Sequence, residues 1–220
     1  MCARSGVQRN NTAVPKKYFP FHYNFSNIPC SYLQQMTPES SNNLYISVME
    51  ALKGDTQAFS RLYKAYSGTM FNLCYRITGD RAKAHDALQN AFVIAWEQLR
   101  NLKEAERFGG WLKQITVREA VRLAKEHARW ETLDDGMDIG EEDTGVWWGD
   151  IDPAWIQEAI LHLPDGCKTV FTLYAIEDYP HKEIAVLMGI SESTSKTQYK
   201  RAKLLLKERL LKKVKRYGQV

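Results

Sequence analysis

Apolar residues recur at helical spacing along most of this chain, and nowhere with the alternation of a strand. Residues 1–43 are the exception. Their Asn, Ser, Pro and isolated aromatics (Tyr18, Phe19, Phe21, Tyr23, Phe25) follow neither period, and the segment reads as a disordered N-terminal extension. Met36 stands just ahead of the first periodic stretch and is a second candidate for the translational start; in the intact chain, an N-terminal arm packing on a partner stays open. Residues 44–52 predict a short helix ended by Gly54. Residues 56–78 then place Phe59, Leu62, Tyr63, Tyr66, Met70, Leu73, Cys74 and Ile77 on one face. Gly79 breaks that helix and Asp80 is an N-cap for the next. Over 81–100 the stripe Ala84, Ala87, Leu88, Ala91, Phe92, Ala95, Trp96, Leu99 never breaks its steps of three and one. A fourth helix, anchored by Phe108, Trp111, Leu112 and Ile115, runs from about 107 to about 129.

A second helical series follows. Residues 155–163 form a helix stopped by Pro164, and 165–176 form another. A helix over 180–188 is turned by Gly189, and Ser191 caps a long last helix to about 214. The predicted fold is all-α. Two small helical domains, 44–129 and 153–220, are joined by an acidic linker over 130–152 with little regular structure. Within that linker Trp147 and Trp148 are the strongly apolar feature, and exposed tryptophans call for something to dock on.

Charge sharpens this division. Residues 44–128 carry 13 basic and 9 acidic side chains, residues 129–152 carry 1 and 9, and residues 153–220 carry 12 and 7. Two basic blocks flanking an acidic connector suggest two modules that face a polyanion, joined by one that does not. With 220 residues, 44% of them hydrophobic, the chain can bury a core for one ordinary or two small domains. No run approaches the roughly 18 apolar residues of a membrane span, and residues 1–35 hold no secretory apolar block. Membrane insertion and export are therefore not expected. Cys2, Cys30, Cys74 and Cys167 form no paired spacing, which predicts reduced thiols in a cytoplasm, with Cys74 and Cys167 as small buried hydrophobes.

Residues 183–203, EIAVLMGISESTSKTQYKRAK, read as a helix-turn-helix. Ala185 is small where two helices cross, Gly189 supplies the backbone freedom of the short turn, and Ile190 plugs the core behind it. The second helix then turns Ser193, Lys196, Thr197, Lys200 and Arg201 outward, where Lys and Arg can reach phosphates and guanine edges. A solvated surface helix is the competing reading, but the small Ala, the turn Gly and the Ser cap coincide at the right offsets. Ser195 stands where such helices turn an apolar residue inward, so its hydroxyl needs a backbone partner.

On these elements the chain resembles bacterial extracytoplasmic-function (ECF) sigma factors, small two-domain sigma subunits of RNA polymerase. The resemblance is carried by Ala159-Ile160, Leu163-Pro164, Val170-Phe171 and the helix-turn-helix. In the first domain it is carried by Ala58-Phe59, Leu62-Tyr63, residues 85–96 (HDALQNAFVIAW), Phe108, Trp111-Leu112 and Ile115. It covers nearly all of 44–211. It implies a polymerase-docking surface on the third helix at Asp86, Gln89, Asn90, Phe92 and Trp96, of which Phe92 and Trp96 belong to the packing stripe.

The resemblance also implies that the fourth helix and the loop over 101–107 recognise the downstream promoter element. On that helix Gln114, Arg118, Arg122, Lys125 and Arg129 fall in one sector, a cationic stripe suited to tracking a phosphate backbone, or else an ordinary solvated face. Bases of separated strands would be captured by the loop. Many family members carry Asn or Asp where this chain has Arg118 and Arg122, a departure that bears on base preference. Lys196, Thr197, Lys200 and Arg201 inherit the upstream element. The acidic linker suits a path through polymerase channels that otherwise hold nucleic acid, or serves as a solubilising spacer.

The function this implies is an alternative-type sigma factor, not an enzyme, which binds core RNA polymerase and directs recognition and opening of a two-part promoter. Its partners are core RNA polymerase, promoter DNA and an anti-sigma factor. No cofactor is expected, because the sequence has no Gly-rich phosphate loop and no His or Cys at metal spacing. His22, His85, His127, His162 and His181 read as surface or capping residues. A self-sufficient helix-turn-helix regulator that binds an operator as a dimer is the alternative.

Overall fold

A computed structural model describes residues 38–126 and 151–217, with side chains over 43–126 and 151–215. The described residues form two helical bundles and contain no strand.

The first bundle consists of α1 (Pro38–Leu52), α2 (Thr56–Thr78), α3 (Arg81–Gln98) and α4 (Phe108–Lys125). Two single 3-10 turns, Leu99–Asn101 and Ala105–Arg107, lead from α3 into α4. Helix α1 starts at Pro38, six residues before the start expected from periodicity. Proline suits a first helical position because its missing N–H would have no helical partner there. Asp55 Oδ1 accepts from the amides of Gln57 and Ala58 at the head of α2. At its foot Gly79 adopts φ 70°, and Asp80 Oδ1 then accepts from the Lys83 amide to start α3.

The core is built on α2, whose Leu62, Met70, Leu73 and Ile77 are at most 2% exposed. Each such side chain stabilises the fold by roughly 1.5–3 kcal/mol on burial. Ala84, Ala87, Ala91 and Ala95 of α3 are fully buried, and their small size lets α3 lie close against both α2 and α4. Trp96 departs from the expected stripe. At 37% exposed it lies on the rim, its ring 4.9 Å from that of Phe59, while Phe92 is buried beside Tyr63. Helix α4 ends at Lys125, so the 127–129 part of its expected span, with Arg129, lies outside the described residues.

The second bundle consists of α5 (Pro153–Leu161), α6 (Asp165–Phe171), α7 (His181–Met188) and α8 (Glu192–Tyr217). It is already ordered at residues assigned to the linker: Ile151 is buried and Asp152 Oδ1 accepts from the Ala154 amide. The rest of the linker, with Trp147 and Trp148, lies outside the described residues, as do residues 1–37. The helix expected over 165–176 changes character midway, because residues Thr172–Ile176 form a π turn. Helix α8 is the spine. Its Tyr199, Ala202, Leu206 and Leu210 are buried, and α5, α6 and α7 all pack on it.

The bundles meet where α2 contacts α6 and the π turn, and where α4 contacts α7. None of the helices among the described residues is long and apolar enough to cross a membrane.

Candidate nucleic-acid interface

The helix-turn-helix of α7 and α8 is built as its residue types require. Ala185 is buried at the crossing, and Gly189 takes φ 66°, a left-handed conformation that suits glycine. Ser191 Oγ accepts from the Thr194 amide at 2.9 Å, which satisfies one free N–H of the following helix. Beyond that cap Ser193, Lys196 and Lys200 are exposed, and Thr197 and Arg201 are half-buried at the border of the same face. Lys196 Nζ pairs within its own helix with Glu192 at 2.7 Å, holding the Glu192 carboxyl below its ordinary range.

Ser195 is fully buried, but its hydroxyl partner differs from the expected backbone group. It bonds His181 Nδ1 at 2.9 Å. His181 is correspondingly half-buried at the start of α7, with its ring engaged rather than free in solvent. Its ring stacks on Tyr174 with centroids 4.1 Å apart, and burial, with the Lys196 ammonium second, holds its pKa below the ordinary value. Tyr199 packs beside both rings, its hydroxyl unpaired and its pKa raised by burial. By contrast His162 Nδ1 lies 2.7 Å from the Glu158 carbonyl at the end of α5, and His85 is exposed against Phe71.

On α4, Gln114, Arg118 and Arg122 are exposed and Lys125 is half-buried. They are not equally available. Arg122 is gripped by Glu119 at 2.9 Å and Glu126 at 2.6 Å, which raise its pKa. Lys125 also makes a contact with the second bundle: its ammonium donates to the Leu187 carbonyl at the end of α7, at 2.7 Å. Gln114 and Arg118 border a cleft of about 480 Å³ whose far wall includes Tyr179, Lys182 and Glu183.

On α3 Asp86, Gln89 and Asn90 are exposed on one side, Phe92 is buried and Trp96 is at the rim. Cys74 and Cys167 are buried, and burial pushes the Cys74 thiol up to about 12. Among the described residues no three His, Cys, Asp or Glu converge as metal ligands.

Sequence reasoning did not single out three charged residues that the structure brings together. Arg76 Nη2 lies 3.0 Å from Glu177 Oε1, with both side chains out of solvent, and Lys113 Nζ lies 2.7 Å from Glu177 Oε2. The available signal was Arg76 itself, a charge set three residues after Leu73 and one before Ile77 on the buried side of α2.

Comparison with known proteins bears on both bundles. Residues 62–130 match the family model for Sigma-70 region 2, and residues 154–206 match the model for Sigma-70, region 4. The chain is 28% identical over 180 residues to the ECF RNA polymerase sigma factor SigW of Bacillus subtilis (strain 168), covering 74% of this chain and 94% of that protein. It is 25% identical over 182 residues to the probable RNA polymerase sigma factor RfaY of Xanthomonas campestris pv. campestris, covering 77% of this chain and 44% of that longer protein. Among solved structures it is similar to the sigma factor RpoE co-crystallised with the anti-sigma factor NepR from Bartonella quintana. That likeness has a TM-score of 0.45 at 18% identity and covers 70% of this chain and 98% of that one.

Proposed function

The chain belongs to the extracytoplasmic-function group of the sigma-70 family, and on that premise we propose how its two bundles divide the work of starting transcription. As an alternative-type sigma factor it binds core RNA polymerase and directs recognition and opening of a two-part promoter. In the proposed division, residues 44–129 dock on polymerase through Asp86, Gln89 and Asn90, with Phe92 supporting that surface from within and Trp96 at its edge. Gln114, Arg118, Arg122 and Lys125 of α4 attract the downstream element. Residues 153–220 hold the upstream element through Ser193, Lys196, Thr197, Lys200 and Arg201. The acidic linker over 130–152 spans polymerase between them.

One observation supports this division above the rest. Each of the two matched regions contains one helix with a solvent-facing basic side, α4 in the first and the start of α8 in the second. Basic helices on separate bundles suit two DNA segments read at once, with phosphate attraction supplying most of the affinity. Sigma factors act in initiation by binding, and for this chain we assign the chemistry of transcription to polymerase. It works where polymerase and promoter DNA are, in the cytoplasm, with an anti-sigma factor as its regulatory partner.

The deciding experiment is a gel-shift of genomic promoter fragments from the source organism, with and without its core polymerase. Fragments retained only when both proteins are present are expected, and their sequences would supply the two elements. Specific retention by this protein alone, on a two-fold symmetric site, would replace the reading with an operator-binding dimer.

A further inference from the structure

Helix α8 carries its candidate contacts to the upstream element near its start, and that part of the helix is held differently from the rest. From Ala202 onward the fully buried side chains are aliphatic: Ala202, Leu206 and Leu210. Between Glu192 and Arg201 they are Ser195, Gln198 and Tyr199, all at most 7% exposed. Aliphatic burial has no preferred direction, so it resists separation of two helices but tolerates a small turn of one against the other. A hydrogen bond weakens steeply away from its angle and so resists turning as well. Gln198 Oε1 and the Tyr199 hydroxyl have no hydrogen-bond partner and give α8 no such hold.

Ser195 does. Its hydroxyl lies out of solvent, 2.9 Å from His181 Nδ1, and joins the first turn of α8 to the first residue of α7. A hydroxyl both donates and accepts, so this bond forms with either tautomer of the ring. The ring is itself braced on two sides. Tyr174 of the π turn stacks on it with centroids 4.1 Å apart and planes 13° from parallel, and Tyr199 meets it edge-on at 5.8 Å. Tyr174 and Tyr199 also touch each other, with centroids 4.6 Å apart.

Ser193, Lys196 and Thr197 stand within two residues of Ser195 on the outer side of the same helix. A turn of α8 that breaks the bond to His181 therefore moves all three. Binding groups that read a partner need placement to within about 0.5 Å and 10–20°. Base edges impose that demand, whereas phosphate contacts by long, flexible side chains carry no sequence information and tolerate displacement.

We propose that His181 is a positioning residue for promoter recognition. Through Ser195 it fixes the rotation of α8 against α7, so that Ser193, Lys196 and Thr197 meet the base edges of the upstream element in one register. The proposal rests on the assignment of α8 to that element.

The test measures binding of holoenzyme to the promoter fragments retained in the gel-shift, with the upstream element intact or scrambled. Ser195→Ala removes the hydroxyl, and His181→Phe keeps a ring against Tyr174 but removes the nitrogens. Each should weaken binding to the intact element about fivefold or more, the scale of one lost base contact. The double substitution should cost no more than the worse single one, because both delete the same bond. Binding to the scrambled fragments should be unchanged. His181→Asn restores a polar atom near the place of Nδ1 but loses the stacked ring, and it should bind the intact element better than His181→Phe. A role confined to packing would give the reverse order. Ile160→Val, a change in the buried part of α5 with a similar cost to stability, should bind as the wild type does. Ser195→Ala adds no bulk and reads the bond by itself should His181→Phe fail to fold.

Wild-type affinity in Ser195→Ala, an equal loss on intact and scrambled fragments, or an equal loss in Ile160→Val would overturn the positioning role. If Lys200→Ala with Arg201→Ala also binds the intact element normally, the assignment of α8 is at fault and the positioning role falls with it.

Discussion

Helices α4 and α8 offer similar chemistry and are held in opposite ways. At the start of α8, Ser193, Lys196 and Lys200 face solvent, and the ion pair at Lys196 stays within the helix. On α4, Lys125 is committed to the Leu187 carbonyl, Arg122 is clasped by two glutamates, and Gln114 and Arg118 border a cleft closed by the other bundle. The difference follows from what each helix does for its own bundle. Among the described residues helix α8 packs its inner side on α5, α6 and α7 and leaves Ser193, Lys196 and Lys200 exposed, while α4 lies against α7 of the other bundle. Residue type and spacing therefore mark a helix as basic. Whether its charges can reach a phosphate is set by what packs beside it.

If α8 is the open face, it should show the larger effect of losing charge. Lys200→Ala with Arg201→Ala is expected to weaken holoenzyme binding to upstream-element DNA about tenfold or more. Two lost phosphate contacts should also flatten the dependence of log affinity on log salt by about 1.8. Titrations at several salt concentrations read both quantities. An unchanged slope would remove the two residues from phosphate contact and with it the contrast between the helices.

On α4 the corresponding change should cost less, because Arg122 must leave Glu119 and Glu126 before it can contact DNA. Arg118→Ala with Arg122→Ala is expected to reduce open-complex formation several-fold, on the order of 1 kcal/mol. Polymerase binding should be unaffected. Permanganate reactivity of the melted strand and co-elution with core polymerase measure the two separately. Equal opening by mutant and wild type would end the assignment of these arginines to DNA.

The same contrast marks what could be read from the sequence. The apolar faces of α2 and α3 were legible because Leu62, Met70, Leu73 and the four alanines keep helical spacing. Helix ends were legible where Gly79, Asp80, Gly189 and Ser191 each have a local reason to stand. The start of α1 was not, because residues 39–43, ESSNN, carry no apolar period. The contact between the two bundles was not legible either. Arg76 and Glu177 lie 101 positions apart, and nothing local to either names the other. Trp96 kept the period yet sits at the edge of its face, where spacing alone does not separate buried from rim positions.

Ser195 is a smaller instance of the same lesson, since its hydroxyl is satisfied by His181 from the neighbouring helix. Ser195→Ala should lower the stability of the second bundle by about 0.5–1.5 kcal/mol, the usual net worth of a buried hydrogen bond. Thermal melting of the full chain, followed by far-ultraviolet circular dichroism, would detect it. No loss of stability would mean that ring stacking on Tyr174 suffices to hold His181 in place.

The histidine on the other side of that bond predicts a still smaller effect with a defined pH window. Burial is the main reason the His181 pKa is lowered, the Lys196 ammonium adds to it, and Glu192 opposes it in part. Folding therefore favours the neutral ring, and the unfolded chain takes up the proton first as pH falls. The contribution of His181 is whole above the unfolded value of about 6.5, shrinks as pH drops from there to the lowered folded value, and is level below it. The carboxyls of Glu158 and Glu192, lowered by Lys213 and Lys196, lose their contributions only on further acidification, from about 4.5 downward. Between pH 7.5 and 5, melting temperature should fall in the wild type and fall less in His181→Gln, which keeps a polar group near Ser195. An equal fall in both proteins would show that His181 is not the group taking up the proton in this window.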